Sequence, residues 1–298
     1  MSLSTSPGSG RTYGIQRVCA LWGFPRSTLY DQRAREKEER EKQRPGPKPT
    51  VSDDALLGFV KEDLANSPFT GEGHRKVYRR LRGKVPAGRD RVLRVMRDNQ
   101  LLSPHRTVQG APLLHDGTII TDRPNEMWGT DGARVQTVED GWVWSFFALD
   151  HYNSECVGWH VAKVGDRFAA LQPLATGILE HFGSVESGIA AGLAIRADHG
   201  TQYTSDDFIA QTKAWGAHMS YAYVAEPQTN GISERFIRTL KEQVIHGKIY
   251  RNVEELRQAI GDFVKKYNSQ WLLERLHYVA PRDARRQYNE SAGLPRAA

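Results

Sequence analysis

Three acidic residues interrupt stretches that otherwise read as buried structure. Asp131 breaks into the strand-like run Met127 to Val135, and Asp198 closes the short apolar run Leu193 to Ala197, just before His199-Gly200. Glu234 sits on a helical stretch, Ile232 to Ile245, in which Ile232, Phe236 and Leu240 recur four apart and define one packed face. Glu234 lies roughly opposite that face, and Lys241, seven residues on, lies almost directly over it, because two turns span about 7.2 residues. Three convergent carboxylates without a cysteine or histidine cluster suit a hard cation with oxygen ligands, Mg2+ or Mn2+. Two such ions roughly 3.5–4 Å apart would activate the attacking oxygen and stabilise the leaving one in phosphoryl transfer. Taken singly, each acid has a plainer reading: Asp131 as the cap of a bulge, Asp198-His199-Gly200 as a turn, Glu234 as an exposed helix residue.

The elements around these acids set how they would meet. Trp128 to Thr137, Trp142 to Leu149 and Cys156 to Val164 are strand-like runs rich in Val, Trp, Phe and Thr, separated by the turn chemistry of Glu139-Asp140-Gly141 and His151 to Ser154. They predict an antiparallel meander. A helix over Arg167 to His181, a strand over Leu193 to Ala197, a helix over Asp206 to Trp215, a strand over His218 to Val224 and the helix bearing Glu234 follow. Three antiparallel strands and then helix–strand–helix–strand–helix is the order of an α/β, ribonuclease-H-like mixed five-stranded sheet with flanking helices. A ligand site in such a sheet lies beyond the carboxyl ends of its parallel strands, which suits Asp198, and Asp131 can meet it if the two strands are neighbours.

Between Asp198 and Glu234 stand residues 199 to 233, which is 35 residues, and Lys241 follows the glutamate by seven. With Trp128-Gly129-Thr130-Asp131, Asp198-His199-Gly200-Thr201-Gln202-Tyr203 and Asn230-Gly231-Ile232-Ser233-Glu234-Arg235-Phe236, this pattern resembles retroviral integrases and the related insertion-sequence transposases. Asp150 to Trp159 resembles that family's turn between second and third strands, and Tyr267-Asn268 with Pro281 its C-terminal segment. Ser67-Pro68-Phe69 and Gly73-His74-Arg75 resemble the helix-turn-helix that precedes the core in transposases made from two overlapping reading frames, of which this would be the second product. Departures are Gln270 to Arg275, where many relatives carry Arg-Pro-His, and Glu155, where an arginine is common. The resemblance implies metal-dependent nicking at the end of a mobile element, freeing a 3′-hydroxyl that attacks a second phosphodiester in line. It implies that Asp131 and Asp198 hold two Mg2+ or Mn2+ ions, that Glu234 completes the site, and that Lys241 contacts phosphate. The implied partners are double-stranded DNA (terminal repeats and target), further copies of the chain on that DNA, and an upstream reading-frame product. Two other readings remain open: a ribonuclease-H-like nuclease that only hydrolyses, and a DNA-binding regulatory derivative.

Charge points the same way. The 298-residue chain carries a net +6, but Arg75 to Arg97 alone holds ten basic residues opposed only by Asp90, so the remainder is net negative. A one-sided block of this kind predicts a polyanion partner, although charge runs are often no more than a solvated helix face. Arg75, Lys76, Arg79, Arg80, Arg91 and Arg94 lie on two short predicted helices, His74 to Leu81 and Asp90 to Leu101, with Val77, Leu81, Val92, Leu93 and Met96 as their core. They form a basic helix-turn-helix whose arginines would meet DNA phosphates.

The organisation expected is a short helix-turn-helix-like segment and charged linker over residues 1–49, the basic domain over 50–110, the integrase-like core over 120–250 and a C-terminal helical segment over 251–298. In the first, Gly14 to Leu21 reads as a helix with Ile15, Val18, Cys19 and Leu21 facing in, Gly23-Phe24-Pro25 breaks it, and Arg44 to Pro49 is a linker. In the last, Asn252 and Glu255 form a capping box ahead of a stripe of Val253, Leu256, Ile260, Phe263, Val264 and Tyr267, and Asn289 to Ala298 reads as a frayed tail. Two cysteines exclude a disulfide framework and a cysteine-built zinc finger. With no secretion signal and no apolar run long enough for a membrane, the expected setting is the cytoplasm, on the nucleoid.

Overall fold

The structure, a computed structural model, describes residues 3–38, 49–103, 119–221 and 231–293. Two compact units are present, Met1–Thr50 and Val51–Ala298. The first holds α1 (Ile15–Leu21) and α2 (Arg26–Glu38), broken where Gly23-Phe24-Pro25 predicts. Of the four side chains expected to face inward in α1, Cys19 is buried but Leu21 is 83% exposed, since a two-helix hairpin has little surface to cover it. Most of the expected linker, residues 44–48, lies outside the described residues.

The second unit opens with α3 (Asp53–Asn66), α4 (His74–Leu81) and α5 (Arg89–Asp98). Ser52 caps α3 by accepting from the Ala55 N–H, and Asp53 and Asp54 occupy its first turn, where the helix dipole favours anions. Leu56, Val60, Val77, Leu81, Val85, Val92, Val95 and Met96 form one small core between the three helices. Val95, not the expected Leu93, takes the buried place in α5.

The sheet consists of β1 (Met127–Thr137), β2 (Gly141–Asp150), β3 (Cys156–Ala162), β4 (Ala194–Ala197) and β5 (His218–Tyr221). Its order is β3-β2-β1-β4-β5, with the first three antiparallel and β4 and β5 parallel to β1, which is the ribonuclease-H-like arrangement. Gly141, at φ 67, supplies the left-handed residue with which the β1–β2 hairpin turns. Strand alternation sends neighbours to opposite faces. Trp128, Phe146 and Ala148 pack with α6 (Arg167–Phe182) and α7 (Asp206–Ala214), while Ala133, Val135, Phe147 and Leu149 pack with α8 (Gly231–Leu240) and α9 (Val253–Gln270). Residues 222–224 of the fifth predicted strand lie outside the described residues.

Two features were not expected. The helix through Glu234 does not stay α-helical to Ile245; from Lys241 to Ile245 it widens into a π turn. A last helix, α10 (Pro281–Ser291), stands partly where a frayed tail was expected, and residues 294–298 lie outside the described residues. Its anchor is ionic: Arg285 donates to Asp150 at 2.8 Å and pairs with Glu155, both carboxylates being buried in the β2–β3 turn.

Candidate active site

The sheet register brings the two aspartates together. In the parallel β1–β4 pair the register runs to Gly129 beside Arg196; carried on two residues, it would set Asp131 level with Asp198, just past the end of β4. Trp128 belongs to the α6–α7 face, and three steps of alternation place Asp131 on the face that α8 covers, with Ala133 and Val135. The helix seats itself there through Phe236, whose ring lies 5.2 Å from that of Phe147, the β2 partner of Asp131. Ser233, Phe236, Ile237 and Leu240 are buried, and this leaves Glu234 exposed.

Electrostatics report the same convergence. The Asp131 carboxyl is pushed up to about 6, first by burial and then by the charges of Asp198 and Glu234; the Gly132 N–H, 2.7 Å from its Oδ1, and the Lys241 ammonium oppose this. Desolvation also raises Glu234, against the charge of Arg238. Asp131, Asp198, Glu234 and Lys241 therefore share one neighbourhood. Among the described residues no three Asp, Glu, His or Cys side chains are gathered tightly enough to clasp an ion, as mutually repelling carboxylates would arrange themselves. The donor set is all oxygen, and a divalent cation would remove the repulsion that raises Asp131, so these residues fit Mg2+ or Mn2+.

The loop after β4 is shaped around Asp198. Its Oδ1 accepts from the Gly200 N–H at 2.9 Å, and a Cβ on Gly200 would stand 2.9 Å from both that oxygen and the Gln202 amide nitrogen. Tyr203 is wholly buried, and burial together with the charges of Asp131 and Asp198 raises its pKa well above the usual range. The Tyr221 hydroxyl donates to the Tyr203 carbonyl at 3.1 Å, and its ring stacks on His199. Tyr203 and Tyr221 thus hold the Asp198 loop. Sequence reasoning gave neither a role, although a bulky aromatic inside a polar loop was the available signal.

Among the expected DNA contacts, five cations spend their charge inside the molecule. Arg75 pairs with Glu274, Arg80 with Asp63 and Glu72, Arg91 with Asp53, and Arg94 with Asp53 and Asp98. Lys76 pairs with Glu72 and lies 3.0 Å over the Trp271 ring. Arg79 is exposed and, like Lys241, has no ion pair among the described residues; Arg82 and Lys84, just after α4, and Arg97, in the last turn of α5, are exposed as well.

Known proteins resemble this chain in sequence. Residues 121–227 match an integrase core domain family, and residues 215–281 match a second family of the same description. The transposase for insertion sequence element IS629 of Shigella sonnei is 28% identical over 174 residues, spanning 58% of this chain and 56% of that protein. The transposase InsD for insertion element IS2 of Escherichia coli is 27% identical over 226 residues, covering 72% of this chain and 73% of its own. A chain of the simian T-cell lymphotropic virus intasome superposes with a TM-score of 0.47 at 15% identity, over 76% of this chain and 74% of its own, a likeness too distant to bear on function.

Proposed function

We propose, from the premise that this chain carries an integrase core domain over residues 121–281, that it is a DNA transposase which nicks element ends and joins the freed 3′-hydroxyl to target DNA. What supports this reading is the parallel β1–β4 register, which runs toward Asp131 and Asp198, together with the packing of the Glu234 helix on β2 through Phe236 and Phe147. Asp131 and Asp198 would hold the ions, and Glu234 would complete the site from α8. Mg2+ or Mn2+ ions held there would activate the attacking oxygen and neutralise the leaving one. In the first step a water oxygen bonds to phosphorus and the bond to the bridging 3′ oxygen breaks; in the second the freed 3′ oxygen displaces another. Lys241 places a positive charge beside Asp131, where it would hold a phosphate in line. The exposed cations Arg79, Arg82 and Lys84 at the end of α4 and Arg97 at the end of α5 would grip the duplex backbone, and two or more copies would assemble on DNA, with an upstream reading-frame product as a further partner. No helix among the described residues is long and apolar enough to cross a membrane.

Asp198→Asn is the test, because Asn keeps the volume and one carbonyl oxygen but loses the charge that holds the ions. Nicking and Mn2+-dependent strand transfer on labelled terminal repeats should fall by at least roughly 10²–10³, with DNA binding and melting temperature near those of the wild type. Cleavage at the wild-type rate would overturn the mechanism. Cleavage without any strand transfer by the wild type would instead favour a hydrolytic nuclease, and no metal-dependent cleavage at all a regulator.

A further inference from the structure

The segment Ser67–Gly73 joins α3 to α4 on the basic helical module, yet it is built into the packing of the catalytic helix. Phe69 is 5% exposed and belongs to the same core cluster as Phe236, Ile237 and Leu240 of α8. It meets the edge of Trp271 at 4.7 Å, and Trp271 stacks on Tyr267, which meets Phe236 at 4.9 Å. A continuous aromatic chain thus runs from the loop of the basic module to the helix that bears Glu234. Beside it, Lys76 lies over Trp271 and Arg75 reaches Glu274, so two cations of α4 fasten to the same stretch of chain.

The second attachment falls on the π turn. Thr70 donates its N–H to the Gln243 side-chain oxygen at 3.0 Å, and the Gln243 amide donates back to the Thr70 carbonyl at 2.9 Å. One amide side chain therefore copies the reciprocal pairing of two strands. The wide turn closes on its own bond, from the His246 N–H to the Lys241 carbonyl five residues back, and side chains meet carbonyls within it: the Tyr250 hydroxyl donates to the Val244 carbonyl and the Lys248 ammonium to the Gln243 carbonyl. Val244 stays buried in the core through the widening, while Gln243 faces Thr70 and Lys241 remains on the side of Asp131. An isolated widened turn in a helix marks a place where side chains are re-aimed.

We propose that Gln243 is a positioning residue: by pairing with Thr70 it holds the π turn that aims Lys241 toward Asp131, and so couples the basic module to the catalytic helix. Gln243 itself touches none of the three carboxylates; it acts through Lys241. The proposal rests on the transposase reading above, and its test separates the two.

Single-turnover strand transfer by the full chain is measured with Mn2+, a labelled duplex ending in a free 3′-hydroxyl and a plasmid target. Gln243→Met, which keeps the length and loses both bonds, should slow transfer roughly 10- to 100-fold, because a misplaced contact costs rate rather than binding. Gln243→Glu, which still accepts from Thr70, should lose less, and duplex affinity should stay within about twofold in both. In a Lys241→Ala background, Gln243→Met should lose most of its effect, since two residues acting through one contact are not additive. Equal losses in the two backgrounds, losses that track the melting temperature, or no loss would each overturn the proposal. Hydrogen exchange supplies an arm independent of activity: the amides of Lys241–Ile245 should exchange faster in Gln243→Met, and unchanged protection would overturn the positioning role. If the wild type transfers no strand, the functional reading fails, and the exchange result still decides the role of Gln243.

Discussion

At the scale of single residues, Asp131 behaves as an acid held against its preference. Its pKa stands at about 6, against an ordinary 3.8, so the folded state binds its proton more tightly than the unfolded chain does. Stability then falls as pH rises from about 4 through 6, and the full penalty persists above 6. Asp131→Asn should therefore stabilise the metal-free protein above pH 6 by about 2 kcal/mol, a figure reduced for partial exposure, and should change little near pH 4. Urea unfolding at the two pH values checks this. A variant less stable than the wild type at pH 7.5 would show that Asp131 is structural. Mn2+ should raise the melting temperature of the wild type at pH 7.5 but not that of Asp131→Asn. Asp131 and Asp198 stand out in the sequence as acids inside or closing apolar runs, and Glu234 by its place opposite a packed helix face. The internal pairing of the arginines was not, since Asp53 meets Arg91 from 38 residues away and Glu274 meets Arg75 from 199.

At the scale of elements, α4 shows how one helix divides its cations between two tasks. Arg80 faces Glu72, whose side chain is 1% exposed, and Asp63, whereas Arg79 faces outward. Arg80→Ala should destabilise the protein by about 3–5 kcal/mol by leaving a buried carboxylate without its guanidinium, and should leave the salt dependence of DNA binding unchanged. Arg79→Ala should do the reverse, costing little stability and flattening the salt slope by about one unit. Denaturation and binding titrations on both variants check the division, and a lowered salt slope in a fully folded Arg80→Ala would reverse it. Helical periodicity located α4, α8 and α9 because each has an apolar stripe. It gave no sign of the π turn, since a period read from Ile232, Phe236 and Leu240 says nothing of how the backbone winds beyond them. It missed α10 because that helix carries no apolar stripe and docks through Arg282 and Arg285.

At the scale of the whole molecule, Val51–Ala298 is one unit, and a helix near its end completes a turn near its middle. Burial drives the Asp150 carboxyl above its usual range despite Arg285, whereas Glu155, opposed by burial, is held below its own by Arg285 and His181. Arg285→Ala should cost about 3–5 kcal/mol, seen as a lowered urea midpoint, because two buried acids lose their shared cation. A midpoint like that of the wild type would make α10 dispensable. The antiparallel meander was legible from turn chemistry and alternation, but this clamp was not, because Glu155 and Arg285 are 130 residues apart. That separation bears on the making of the protein. A ribosome adding about 5–20 residues per second reaches Arg285 on the order of ten seconds after Glu155, and until then the two acids have hydrogen bonds from Asn125, Tyr152 and Asn153 but not the guanidinium they share. A message broken between the codons of Glu234 and Arg285 would yield a chain with all three proposed site carboxylates and without the guanidinium that pairs Asp150 and Glu155. Only translation carried through to α10 sets both buried acids against their shared cation.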